Sequence, residues 1–169
     1  YYAMHHFDCA GSVMVTGSHN PPDYNGLKLS MRTGPVYGDM IQSLGEKSAD
    51  GIACPDDGVS YERSVENDYI AFLHNLWPQD AALTIAWDAG NGAAGHVIEK
   101  LTAKLPGPHH CLYTEIDGDF PNHHPDPQNP KNLVDIITSV KANTCDIGFA
   151  FDGDGDRVGI IDDKGEVIP

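Results

Sequence analysis

The sequence predicts an α/β protein built on a mixed, mostly parallel sheet with covering helices. Three observations carry that reading. From about residue 64 onward, short apolar runs alternate with segments whose apolar residues repeat at helical spacing, the pattern of right-handed crossovers in a parallel sheet. The apolar fraction is 40% over 169 residues, which fits a folded globular chain with room for a core. Two stretches between the runs, residues 48–64 and 117–130, concentrate Gly, Pro and Asp.

Val13–Thr16 and Leu27–Ser30 read as short strands flanking a loop. His5 and His6 read as the end of a strand begun upstream. Pro35–Lys47 is a helix candidate, with proline at its start and Met40, Ile41 and Leu44 on one side. Residues 48–64 are rich in Gly, Asp, Ser and Pro and form a linker. A domain boundary at its end divides the chain into 1–64 and 65–169. Ser64–Trp77 carries Val65, Tyr69, Phe72, Leu73 and Leu76 at helical spacing, and Pro78 ends it. Ala82–Asp88 is a buried strand, and "GNGAAG" turns it into a helix running to about Lys104. His110–Ile116 is the next strand. Asp117–Pro130 is a proline-rich loop, in which His123 and His124 belong to a rigid turn or serve as ligands. Asn132–Ala142 is an amphipathic helix, Asp146–Asp152 a third strand, and Val158–Ile168 a hairpin turning at Asp163–Gly165.

Charge narrows the partners. With 25 acidic residues against 10 basic, the formal charge is −15, which argues against a nucleic-acid surface or an anionic membrane. No run of apolar residues is long enough for a transmembrane helix, and the first residues lack a basic and an apolar signal region. Cys9, Cys54, Cys111 and Cys145 are too scattered for a zinc site or a disulfide framework. The expectation is a cytoplasmic protein with reduced thiols.

Two turns lie at the carboxyl ends of predicted parallel strands, where open α/β sheets bind ligands. "WDAGNGAAG" admits a nucleotide cradle or a tight strand–helix turn. "AFDGDGDRVG" is more specific. Asp152, Asp154 and Asp156 alternate with Gly153 and Gly155, so three carboxylates converge. Three carboxylates so close repel one another unless a cation neutralises them, and hard oxygens suit Mg²⁺ or Ca²⁺. An EF-hand fails on position, since the sixth and twelfth residues from Asp152 are Arg157 and Asp163. A solvated acidic turn is the alternative. Arg157 follows the last carboxylate and is suited to a phosphoryl oxygen.

"VMVTGSHNPPDYNGLKL" interrupts a strand to present Ser18 and His19 on a rigid loop. It is not an acyl-transfer elbow, because Gly17 adjoins the serine and Pro21 blocks a following helix. Phosphoryl transfer fits better, as it needs an oxygen nucleophile, a metal and cationic clamps. Ser18, the three aspartates, Lys28 and Arg157 supply those roles.

"TGSHNPPDYNGLKL", "DGDFPNHHPDP" and "FDGDGDR" together resemble the phosphohexomutase superfamily, most closely its bacterial phosphomannomutase/phosphoglucomutase branch. The resemblance runs along nearly the whole chain. It implies that Ser18 carries a phosphate and, with Asp152, Asp154 and Asp156, binds Mg²⁺. It implies that His19, Lys28 and Arg157 line the catalytic centre. The implied reaction interconverts hexose 1- and 6-phosphates of mannose or glucose through a bisphosphorylated sugar, with a hexose 1,6-bisphosphate as activator. The family has four domains. The resemblance covers the later part of the first domain, 1–64, and essentially all of the second, 65–169. The implied partners are a phosphosugar, the remaining domains, and a second copy through an exposed sheet edge. A fragment of this kind is expected to be inactive alone. A non-catalytic divalent-cation-binding module is the other function class.

Overall fold

The computed structural model describes residues 1–18, 20, 21, 23–49, 51, 58–78 and 80–169. They group into two compact units, one of Tyr1–Thr16 with Gly26–Val65, the other of Gly17–Asn25 with Glu66–Pro169. The serine loop therefore packs with the second unit.

The first unit opens with a helix, α1 (Tyr2–His6), which holds His5 and His6. The expectation of a strand end there is corrected. Its sheet is antiparallel, in the order β1 (Gly11–Val15), β2 (Leu27–Met31), β3 (Gly34–Pro35). Pro35 belongs to β3 rather than to a helix. Proline lacks an N–H, and this short edge strand needs none there. Helix α2 accordingly begins later, at Asp39, and runs to Ala49 without a buried residue. Of the expected linker, residues 50 and 52–57, Cys54 among them, lie outside the described residues, and 58–64 have no regular structure.

The second unit is a five-stranded mixed sheet covered on both faces. Its order is β5 (His109–Leu112), β4 (Ile85–Asp88), β6 (Ile147–Phe151), β7 (Val158–Asp162), β8 (Val167–Ile168). The first three strands are parallel and the last two form the expected hairpin. Helices α3 (Glu66–Leu76) and α4 (Gly95–Thr102) precede and follow β4. A 3₁₀ turn (Pro130–Leu133) leads into α5 (Val134–Ala142). Alternation along β4 splits the core in two. Ala86 packs with Leu133, Ile136, Val140, Ala150 and Ile161 beneath α5. Ile85 and Trp87 pack with Ile98 and Leu105 on the α4 side, joined by Phe149 and Phe151. Each fully buried aliphatic side chain, such as Ile85, Ile136 or Ile161, contributes about 1.5–3 kcal/mol over exposure.

Two strands are shorter than the sequence suggests. β4 starts at Ile85 because Thr84 donates its N–H to the Asp146 carboxylate (2.8 Å) before strand pairing begins. β5 stops at Leu112 because Tyr113 turns to φ +53° and its carbonyl accepts the Asn91 N–H at 2.8 Å. Among the described residues no helix is long and apolar enough to cross a membrane.

Candidate active site and metal centre

Parallel strands place the loops after β4, β5 and β6 at one end of the sheet, and the acidic motif with Arg157 sits there. The loop after β6 carries the acidic motif. Asp152 is fully buried, Asp154 half-buried and Asp156 exposed, and one oxygen from each lies within 4.8 Å of the others. Gly155 makes the reversal at φ +72°, and its N–H donates to the Asp152 carbonyl at 3.0 Å.

A buried carboxylate needs compensation, and Arg157 provides it. Its backbone N–H donates to Asp152 Oδ1 at 3.0 Å, and its Nε and Nη2 donate to Oδ2 at 2.9 and 2.8 Å. Arg157 Nη1 also lies 3.5 Å from Asp126 Oδ1, on the loop after β5. The side chain is 29% exposed.

Ser18 reaches the same carboxylates. Its Oγ donates to Asp154 Oδ1 (3.2 Å) and, more weakly, to Asp152 Oδ2 (3.4 Å). Its backbone is left-handed, φ +56°, a conformation that costs a non-glycine residue energy. Of the eight expected roles over seven residues, the structure therefore brings together Ser18, Asp152, Asp154, Asp156 and Arg157. Lys28 lies exposed on β2, opposite Met14, in the other unit. His19 lies outside the described residues.

The glycine turn after β4 packs against this acidic loop. A Cβ on Gly92 would stand 2.8 Å from the Gly153 carbonyl oxygen and 3.0 Å from Gly153 Cα. The next residue, Ala93, donates its N–H to that same oxygen at 2.9 Å. Close backbone approach accounts for this glycine, in keeping with the tight-turn reading of "GNGAAG".

Sequence reasoning did not find the polar network beside it. Asp88, fully buried at the end of β4, accepts from the Gly90 N–H and pairs with His123 Nε2, each at 2.9 Å. His123 Nδ1 faces the His124 carbonyl at 3.1 Å. Both ring nitrogens thus face acceptors, which favours the imidazolium. The bond to Asp88 raises the His123 pKa above its usual value, against the opposing effect of burial. Asn91, at φ +59°, donates to the Glu115 carbonyl and accepts from Asn122 Nδ2, both at 2.8 Å. Tyr113 stacks edge-on against His123 and donates to Asp135 at 2.9 Å, and burial leads the effects raising its pKa. The available signal was an acidic residue at a strand end together with a histidine among prolines.

A serine hydroxyl beside three converging carboxylates, of which Asp152 pairs closely with Arg157 and Asp156 lies 3.8 Å from its Nε, is suited to binding a hard divalent cation beside an anionic oxygen substituent. The donor set fits Mg²⁺ or Ca²⁺, being all oxygen and only partly enclosed.

Comparison with known proteins gives the family. Residues 67–165 match the family model of phosphoglucomutase/phosphomannomutase alpha/beta/alpha domain II, and residues 1–50 match that of domain I. The chain belongs to the phosphoglucomutase/phosphomannomutase family. A Pseudomonas aeruginosa protein named phosphomannomutase/phosphoglucomutase is 39% identical over 168 residues, covering 99% of this chain and 36% of its own length. A phosphoglucomutase of Neisseria meningitidis is 42% identical over 166 residues, covering 95% of this chain and 36% of its own. The crystal structure of a family member from Burkholderia thailandensis superposes with a TM-score of 0.87 at 42% identity, over 95% of this chain and 35% of that one. The chain thus spans little more than a third of the length of these relatives.

Proposed function

We propose that this chain is part of a phosphosugar mutase that interconverts hexose 1- and 6-phosphates of mannose, glucose or both, and that Ser18 is its phosphate carrier. The observation that carries the proposal is the placement of Ser18 Oγ at 3.2 and 3.4 Å from the Asp154 and Asp152 carboxylates, in a chain of this family. Residues 1–64 are read as the later part of the first domain and 65–169 as the second. The setting is the cytoplasm, and the remaining domains of the longer protein complete the sugar site.

Asp152, Asp154, Asp156 and the phosphate on Ser18 would hold Mg²⁺. The ion, when bound, neutralises charge on the transferring phosphoryl group. The chain's own residues orient that group. Arg157, fixed on Asp152 and partly exposed, is suited to phosphoryl oxygens. Lys28 and His19 are assigned the remaining positions in the catalytic centre. In the transfer, the Ser18 Oγ–phosphorus bond breaks as a sugar hydroxyl oxygen bonds to phosphorus. The serine oxygen ends protonated by the proton the sugar hydroxyl gives up, so charge and atoms balance. Return of the other phosphate from the bisphosphorylated sugar, the activator in its free form, restores the enzyme.

A coupled assay for glucose 6-phosphate from glucose 1-phosphate tests this. A chain extended to the relatives' length should turn over with Mg²⁺, and its Ser18→Ala form should not. Ca²⁺ binding in preference to Mg²⁺, with no mutase turnover, would instead identify a non-catalytic cation-binding module.

A further inference from the structure

The proline loop after β5 is more than a connection. Pro125 is fully buried, and Pro127 packs beneath β7, where a Cβ on Gly159 would stand 3.0 Å from Pro127 Cβ. Between these two prolines, Asp126 extends toward Arg157. Its backbone N–H donates to the His124 carbonyl at 2.9 Å, the same oxygen that faces His123 Nδ1. Its own carbonyl accepts from Asn132 Nδ2 at 2.9 Å, and its Oδ1 accepts from the Gln128 N–H at 3.2 Å. A continuous set of bonds thus runs from buried Asp88 through His123 and the His124 carbonyl to Asp126.

At Arg157 two loops meet. Asp152 holds the Nε/Nη2 edge of the guanidinium, and Asp126 faces Nη1 from the other loop. Asp152, with Asp156 Oδ1 at 3.8 Å from Nε, fixes one edge. A further carboxylate on the opposite nitrogen limits rotation of the guanidinium plane, and a bidentate donor depends on that plane.

We propose that Asp126 is a positioning residue for Arg157, and that the buried Asp88–His123 pair anchors the loop that presents it. The assignment rests on the mutase reading only for its effect on phosphate transfer.

The test uses the full 169-residue chain labelled with ¹⁵N-arginine. The sequence has three arginines, Arg32, Arg63 and Arg157, so Arg157→Lys assigns the signals. In the wild type, the Arg157 Nη resonances should be resolved and slow to exchange. In Asp126→Asn they should collapse toward those of mobile arginines, while the Nε–H held by Asp152 persists and backbone amides elsewhere stay in place. Asp126→Glu should restore much of the wild-type signal. His123→Gln should reproduce the Asp126→Asn pattern in part. Wild-type Nη signals in both Asp126→Asn and Asp126→Ala would overturn the positioning role, as would amide shifts throughout the unit. Unchanged Nη signals in His123→Gln would overturn the anchor. With a hexose 1,6-bisphosphate, Asp126→Asn should slow phosphate transfer to Ser18 about tenfold, in the range for partners behind a functional side chain, with Mg²⁺ affinity unchanged. A wild-type chain that takes up no phosphate would count against the mutase reading, and the arginine signals would still decide the role of Asp126.

Discussion

Replacing Gly92 by alanine should loosen the acidic loop from the turn after β4. The new Cβ would stand 2.8 Å from the Gly153 oxygen and 3.0 Å from both Gly153 Cα and the Ala89 oxygen. All three atoms are backbone, so no side chain can swing aside. Overpacking of this kind costs about 1–3 kcal/mol, and contacts with backbone alone place Gly92→Ala in the upper half of that range. Alanine also restricts the unfolded chain, which offsets about 0.4–1 kcal/mol. The net loss is about 1–2.6 kcal/mol, or about 2–10 °C in Tm for a chain of this size. Gly118→Ala serves as control, because a Cβ there meets nothing within 4 Å. Thermal unfolding followed by circular dichroism, with Mg²⁺ titrations of both variants, measures the difference. Equal Tm and equal Mg²⁺ affinity in the two variants would refute the close-packing account of this turn.

Asp154→Asn should weaken Mg²⁺ binding strongly while leaving the fold intact, since it also relieves repulsion among the three carboxylates; calorimetric titration showing wild-type affinity would sink the shared site. Ile136→Ala, at a fully buried position under α5, should cost about 2–5 kcal/mol, read from the urea midpoint. The pH dependence has a definite sign. Because His123 is raised above its usual 6.5 by Asp88, its stabilisation is complete below about pH 6.5 and is lost as pH rises through the folded value. Asp88, Tyr113 and Asp135 face the same ring or its neighbours, with His124 next in the chain. His123→Gln should flatten that alkaline loss, and an unchanged profile would remove the ion pair from the account. Hydrogen exchange should show weaker protection in residues 1–64, whose buried side chains among the described residues are Met4, Ser30 and Val36; uniform protection in a monomer would contradict this.

The parts of the fold legible in sequence are those where local pattern and tertiary packing agree. β6 is a continuous apolar run that ends at the acidic motif, and α5 carries Ile136 and Val140 on the face it buries. α1 was not legible, because five residues containing two histidines and no side-chain cap give little helical signal. β3 was not legible either, since two residues become a strand only by pairing with Ser30 and Met31. The carboxylates of the site were legible from their spacing, because alternating glycines let three aspartates converge. Asp88, His123 and Asp126 did not, since their partners lie 35, 35 and 31 residues away. Separations of that kind are set by the sheet topology, which brings the three loops to one end.

The most direct measurement is a phosphopeptide map of the 169-residue chain after incubation with a hexose 1,6-bisphosphate and Mg²⁺. The account predicts one phosphate, on Ser18, dependent on Mg²⁺ and absent from Ser18→Ala. A phosphate on Ser12, Ser30 or another serine, or none in a folded chain that binds Mg²⁺, would contradict it.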